Sequence, residues 1–306
     1  MYRGPALYPP PHHRIATPPP NPVEHPMTDG ALVLAGTPMG QPGDASPRLR
    51  EALATADIVA AEDTRRAKAL AASLDVQIGG RLLSYYDQVE AQRAPKLVEA
   101  IAGGSTVLLI TDAGMPSVSD PGYRLVAACA DAGLRVTCLP GPSAVTTALA
   151  VSGMPSERFC FDGFAPRKPG ARQDWLASLR TERRTVVFFE SPHRLAQTLA
   201  DAAAVLGDRR RGAVCRELTK TYEEVRRGGL GELAAWAADG VKGEITVVIA
   251  GADEIDSEAD LDSVVASAAA LAEAGTRLKD ACAQAAAGTP FSRREVYEAV
   301  LAARRS

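Results

Sequence analysis

From residue 31 onward, short β-branched or leucine-rich runs alternate with stretches of helical spacing. This alternation limits the possible folds more than any single motif. The runs Ala31 to Ala35, Asp57 to Ala61, Arg81 to Ser84, Thr106 to Ile110 and Leu134 to Cys138 are bounded by glycine, proline or aspartate and read as strands. Between them Pro47 to Thr55, Asp63 to Ser73, Val89 to Ala102, Tyr123 to Ala132 and Ser143 to Val151 carry helical periodicity. Strand and helix in alternation imply βαβ units and a mostly parallel sheet. The pattern breaks near Ser152 to Ser156. A second α/β half follows, with strands at Phe159 to Gly163, Thr185 to Phe189, Gly212 to Arg216, Tyr222 to Arg227 and Glu244 to Ala250. Its helices fall at Arg172 to Leu179, Leu195 to Leu206 and Gly231 to Ala238.

The expected division is therefore an N-terminal α/β domain over 30–152 and a second over 153–252. An acidic linker and the start of a helical region occupy 253–275. A small helical domain over 276–306 has helices at Thr276 to Ala287 and Ser292 to Arg304, joined by Gly288-Thr289-Pro290, a spacing compatible with a helix-turn-helix. Residues 1–29 stand apart: nine of the chain's 22 prolines and three of its four histidines lie there. Proline at that density removes backbone donors, and no apolar core of a secretory signal is present, so the segment reads as a disordered tail.

Composition excludes several classes. The 306 residues are 46% hydrophobic and 23% charged, which is ordinary for a globular chain. No apolar run approaches the roughly 18 residues of a membrane span. The five cysteines are odd in number and form no C-x-x-C pair, so neither a disulfide framework nor a metal site is signalled, and a reducing cytoplasm is the simplest compartment. A net charge of -3 argues against a uniformly basic nucleic-acid binder. The total hides an uneven distribution: residues 165–228 carry +6 and 276–306 carry +3, while 229–275 carry -9. Arg209-Arg210-Arg211, Arg183-Arg184, Arg226-Arg227 and Arg293-Arg294 lie in the positive segments, and clustered arginines are the footprint of phosphate binding.

In parallel α/β sheets, ligands sit beyond the carboxyl ends of the strands. Three loops there stand out: Gly36-Thr37-Pro38-Met39-Gly40 after the first strand, Thr111 to Gly122 after the fourth, and Leu139-Pro140-Gly141-Pro142-Ser143-Ala144 after the fifth. Glycine admits close backbone approach and proline fixes the loop, although plain βα turns use the same residues. Neither G-x-x-x-x-G-K-[ST] nor G-x-G-x-x-G follows a strand, which argues against a P-loop or ordinary dinucleotide-binding enzyme.

With Ala61-Glu62-Asp63-Thr64-Arg65, Asp112-Ala113-Gly114-x-Pro116 through Ser119-Asp120-Pro121-Gly122, Phe189-Glu190-Ser191-Pro192-His193-Arg194, Arg216-Glu217-Leu218-Thr219-Lys220 and Lys242-Gly243-Glu244, these loops form a set. The sequence so marked, from Leu32 to the C-terminus, resembles the tetrapyrrole methylase superfamily of S-adenosylmethionine-dependent methyltransferases, and within it the branch that methylates the ribose 2′-hydroxyl of small-subunit ribosomal RNA. The resemblance implies two α/β domains with the cofactor in the cleft between them, and a homodimer. It implies that Pro38, Asp112, Ala113, Gly114, Met115, Ser119, Ser143 and Ala144 surround S-adenosylmethionine. It implies as substrate a cytidine of the decoding region, in free RNA or the assembled small subunit. Many members of the branch have histidines and an asparagine where this chain reads Tyr85 to Glu90, so that loop is a weak place to assign catalysis.

Methyl transfer from a sulfonium needs in-line placement of a nucleophile more than covalent help, and a ribose hydroxyl needs its proton drawn away. Candidates for that task are Glu62, Asp63, Asp87, Glu217 and Lys220, with Arg65 placed to bind phosphate and set the sugar's position. Asp63 can equally cap the helix that follows, and Ser143 can equally begin one. His193, Arg194, Arg209, Arg210, Arg211, Arg293 and Arg294 are expected RNA contacts. Two other readings remain open: a small-molecule tetrapyrrole C-methyltransferase, which shares the cofactor loops but has no need of the arginine clusters, and a non-enzymatic RNA-binding assembly factor.

Overall fold

The computed structural model describes residues 30–252, 260–286, 289 and 291–303. The expected tail over 1–29, most of the acidic linker, the glycine and proline of the 288–290 turn, and Arg304-Arg305 lie outside the described residues.

The first unit runs β1 (Ala31–Ala35), α1 (Pro47–Thr55), β2 (Ile58–Ala61), α2 (Thr64–Ser73), β3 (Arg81–Ser84), α3 (Asp87–Ala102), β4 (Thr106–Ile110), α4 (Tyr123–Asp131), β5 (Arg135–Leu139) and α5 (Ala144–Ser152). The five strands form one parallel sheet in the order β3-β2-β4-β1-β5. The two-residue period of β4 explains why both faces are covered. Leu108 and Ile110 join Leu49, Leu53 and Val59 on one side, while Val107 and Leu109 join Leu97, Ile101 and Leu125 on the other. Each of these side chains is buried, which stabilises the fold by about 1.5–3 kcal/mol per large aliphatic group.

The second unit contains β6 (Phe159–Phe164), α6 (Pro169–Ser178), β7 (Thr185–Glu190), α7 (Pro192–Leu206), β8 (Arg211–Arg216), β9 (Glu224–Gly229), α8 (Leu230–Ala237) and β10 (Ile245–Ile249). Here the sheet is mixed, in the order β6-β7-β10-β8-β9, and only β6 and β7 run parallel. The short link from β8 to β9 holds no helix. A connection that short makes an antiparallel hairpin, and β10 then inserts between β7 and β8.

Helix α5 ties the two units together. It follows β5 in the chain, yet Val145, Ala148 and Leu149 pack on Val187, Ala213, Cys215 and Val248 of the second sheet. The opposite face of that sheet is covered by α6, α7 and α8 around Val186, Phe188, Val214 and Val247. Arg227 of β9 donates to the carbonyls of Val151 and Ser152, closing the C-terminal end of α5.

Three helices follow, α9 (Leu261–Glu273), α10 (Leu278–Ala286) and α11 (Arg293–Ala303), around Val264, Ala268, Cys282, Val296 and Val300. Helix α9 occupies the stretch read from the sequence as linker and helix start. Asp260 caps it by accepting the Ser263 amide at 2.7 Å.

Candidate functional site

The three strand-end loops of the first sheet are bonded to one another. Thr37 and Gly114 exchange backbone hydrogen bonds of 2.9 and 3.0 Å, and the Thr37 hydroxyl donates to the Thr111 carbonyl at 3.1 Å. Gly36 donates to the Leu139 carbonyl at 3.1 Å. A β-carbon on Gly36 would lie 2.7 Å from the Gly141 α-carbon, so backbone meets backbone there and only glycine fits. On the far side, a β-carbon on Gly40 would fall 2.3 Å from Cγ of Lys220, which brings the first loop onto the Glu217–Lys220 loop of the second unit.

Between these loops and the second sheet lies a cleft of about 380 Å³. One wall carries Met39, Asp112 to Met115, Ser119, Ser143 and Ala144; the other carries Phe164, Phe189, Leu218, Gly243 and Thr246. The volume lies in the range of small-molecule sites. Ser143 stands at the N-cap of α5, its hydroxyl makes no capping bond, and Ser143, Ala144 and Val145 line the cleft. Two hydroxyls near the loops that border it, Thr111 and Thr219, are buried without a hydrogen-bond partner among the described residues. Ser117 and Ser119 (φ 68° and 64°) and Glu217 and Thr219 (φ 51° and 65°) hold left-handed conformations, the kind of strain that concentrates at ligand sites.

Carboxylates line the edge beneath β2 and β4. The Asp112 amide donates to Glu62 Oε2 at 3.2 Å, and Asp112 Oδ1 accepts the Asp63 amide at 3.2 Å. Burial raises the proton affinity of Glu62, opposed by the Asp112 amide, and burial likewise raises that of Asp112, opposed by the Arg66 guanidinium at 3.4 Å. Asp120 is the most perturbed. Burial, then the charges of Glu62, Asp112 and Asp87, push its carboxyl up to about 7.

The sequence-derived candidates separate on this geometry. Glu62, Asp112, Ala113, Gly114, Met115, Ser119, Ser143 and Ala144 all line the cleft, and Pro38 adjoins Met39 in its wall. Asp63 caps α2 by accepting the Arg65 amide at 2.8 Å, and its side chain grips the Arg65 guanidinium at 2.6 and 3.1 Å. Those bonds from Arg65 hold Asp63 well below the usual carboxylate range, which suits a cap and not a base. Lys220 Nζ lies 2.8 Å from Glu217 and 3.0 Å from Glu244. Burial works against its charge, but the bonds to Glu217 and Glu244 outweigh burial and raise its affinity, so it stays protonated and cannot take a proton.

The expected RNA contacts also divide. His193 is exposed beside Pro192 at the cleft rim, whereas Arg194 turns inward to an ion pair with buried Glu190 and donates to the Ala165 carbonyl at 3.1 Å. Arg209, Arg210 and Arg211 lie at the start of β8, while the cleft is built at its other end around Cys215, about 13 Å along the strand at 3.3 Å per residue. Arg210 is occupied by the Ala250 carbonyl at 2.7 Å; Arg209 and Arg211 are exposed. Arg293 and Arg294 are exposed on α11, with Arg294 paired to Glu298. Among the charged residues of the cleft, Arg66, Asp120, Glu190 and Glu244 were not among the candidates; for Asp120 the Ser-Asp-Pro-Gly setting was the available signal. Among the described residues no cluster is placed to hold a metal ion, and no helix is long and apolar enough to cross a membrane.

Comparison with known proteins places this geometry. A family model of tetrapyrrole (corrin/porphyrin) methylases matches residues 31–234. The chain is 61% identical over 280 residues to a protein of Mycobacterium tuberculosis named ribosomal RNA small subunit methyltransferase I, covering 91% of this chain and 97% of that one. It is 41% identical over 262 residues to the protein of the same name in Escherichia coli O157:H7, covering 85% and 90%. Among solved structures it resembles the methyltransferase CobJ, at 21% identity and a TM-score of 0.56 over 73% of this chain and 95% of that one. It also resembles uroporphyrin-III C-methyl transferase of Thermus thermophilus complexed with S-adenyl homocysteine, at 16% identity and a TM-score of 0.51 over 72% and 97%.

Proposed function

The chain belongs to the tetrapyrrole methylase family, and on that premise we infer that it transfers a methyl group from S-adenosylmethionine to a ribose 2′-hydroxyl of small-subunit ribosomal RNA, a cytidine of the decoding region. The observation that carries this reading is the convergence of three glycine-rich loops and a carboxylate edge in one cleft, in a chain so close to ribosomal RNA methyltransferases along nearly its whole length. The cleft suits the cofactor. Its cramped Gly36–Gly141 crossing, the open amides and hydroxyl at Ser143 and Ala144, and the polar edge of Asp112 offer partners for a nucleoside and an amino acid. The carboxylate edge complements a sulfonium cation.

When bound, S-adenosylmethionine would supply an activated methyl group open to in-line attack by the ribose oxygen, its sulfonium leaving as the neutral thioether. What remains for the protein is placement and proton removal. In this reading Pro38, Asp112 to Met115, Ser119, Ser143 and Ala144 seat the cofactor, and Arg65 and His193 at the rim hold the RNA. Asp120, which lines the cleft with Glu62, takes the hydroxyl proton; burial first, then the charges of Glu62 and Asp112, push its carboxyl up to about 7. Lys220 positions the Glu217 loop against Gly40. Exposed Arg209, Arg211 and Arg293 bind phosphates away from the chemistry. The same proposal has the protein act as a homodimer in the cytoplasm, on free ribosomal RNA or the assembled small subunit, with the C-terminal helices as an RNA-contact unit.

The test is transfer of labelled methyl groups from S-adenosylmethionine to purified small subunits, naked ribosomal RNA and a tetrapyrrole precursor. Label on ribose in the RNA is expected. Label on the tetrapyrrole alone overturns the reading.

A further inference from the structure

Glu90 is buried, with 6% of its surface exposed, and takes no part in the chemistry above. Its Oε1 accepts the Gly122 amide at 3.0 Å and the Arg124 amide at 3.2 Å, the two amides that flank Tyr123. Its own amide donates to the Tyr86 carbonyl at 3.0 Å. One buried carboxylate thus fixes the backbone on both sides of Tyr123 and sits one helical turn from Tyr86. Both tyrosines point to solvent: Tyr123 is 75% and Tyr86 39% exposed, in a chain where aromatic residues make up only 5%. Exposed tyrosines on rigid backbone are poorly placed for stability and well placed for contact.

Their surroundings identify the contact. Tyr123 follows Asp120 by three residues, at most about 11 Å of chain, and Tyr86 precedes Asp87, whose charge acts on both Glu62 and Asp120. The exposed guanidinium groups of Arg65, Arg66 and Arg124 stand at the same edge, beyond β2 and β4. Each is already paired with a carboxylate of that edge, so the hold of Arg65 on the RNA is weakened by Asp63 and a grip independent of charge complements it. Stacking on aromatic rings does not depend on charge and every base has a face to stack.

We propose that Tyr86 and Tyr123, held by Glu90 as a positioning residue, form an aromatic seat for an unpaired base of the RNA next to the ribose being methylated. The inference rests on the ribosomal RNA reading and names the element that grips the substrate there. No covalent step is involved: the seat splays the strand so that one ribose reaches Asp120.

The experiment measures binding of small-subunit ribosomal RNA and of an unstructured mixed-sequence oligoribonucleotide across a salt series. It is combined with the KM for small subunits, calorimetry with S-adenosylmethionine, and sedimentation. Tyr123→Ala and Tyr86→Ala are each expected to weaken RNA binding and raise that KM about tenfold, with the salt slope and cofactor affinity retained. Tyr123→Phe and Tyr86→Phe keep the ring and are expected to bind as the parent does. Glu90→Gln keeps an acceptor for both amides and is expected to rescue what Glu90→Ala loses. Alanine variants that bind RNA like the parent overturn the seat, and so does a shift from dimer to monomer without loss of RNA affinity, which makes the surface a contact between copies. Phenylalanine variants as weak as alanine also overturn it. If RNA binding depends on the tyrosines while no methyl reaches small subunits, the seat stands and the proposed function fails. Methyl transfer indifferent to both tyrosines gives the reverse.

Discussion

Glu62 and Asp112 lock the ends of β2 and β4 together: Glu62 accepts the Asp112 amide, and Asp112 in turn accepts the amide of Asp63, each at 3.2 Å. Two side chains that line the cleft therefore also set its shape. Asp112→Ala removes the acceptor and loosens both loops. We expect S-adenosylmethionine affinity to fall by about tenfold or more, the equivalent of one charge-assisted hydrogen bond. Equal calorimetric affinity of variant and parent refutes the assignment.

The pH dependence follows from Asp120. Its carboxylate form, needed to accept a proton, fills as pH rises through about 7, so methyl transfer at saturating substrates is expected to rise over that range. Asp120→Asn flattens the profile and leaves little activity. A parent profile already level from pH 5 to 8 contradicts the role.

The same shift has a stability consequence of definite sign. A carboxyl whose affinity is raised in the folded state contributes stability below its unfolded pKa, near 4, and loses it as pH rises through about 7. Asp120→Asn mimics the protonated form. The variant is expected to melt like the parent at pH 4 and above it at pH 8; a difference independent of pH sinks the argument.

Lys220 tests the latch between the units. Lys220→Met leaves Glu217 and Glu244 facing each other and is expected to cost about 1 kcal/mol in urea denaturation, discounted because the trio is partly exposed. Lys220→Arg restores the charge. Activity in Lys220→Met with an unchanged pH profile supports positioning, whereas loss of one limb of the profile reinstates Lys220 as a proton carrier.

Reversing the charges of Arg209 and Arg211, and sparing Arg210, which braces the Ala250 carbonyl, separates remote RNA binding from the cleft. RNA affinity is expected to weaken and its salt slope to shrink, with S-adenosylmethionine binding intact. An unchanged salt slope removes these arginines from the RNA path.

Much of the architecture was legible locally. β1, β3, β4 and α1 have the bounds that alternation and punctuation predict, because a two-residue period and glycine or proline boundaries are short-range signals. The three strand-end loops that line the cleft were visible for the same reason. Helix α9 was obscured by its acidic approach. The mixed order of the second sheet was invisible because strand direction depends on which neighbour β10 finds.

The sequence by itself determined most of the elements and the loops at the carboxyl ends of the first sheet, since these follow from residue type and spacing, and its motifs carried the resemblance to the family. The tertiary structure alone decided what the charged residues there do. It half-buried Asp120 among other carboxylates, gave Lys220 two partners, turned Arg194 inward, and set Arg209 to Arg211 at the far end of β8. It also laid α5 across the second sheet. Proton affinity and reach depend on desolvation and on neighbours distant in the chain, and no local pattern encodes either.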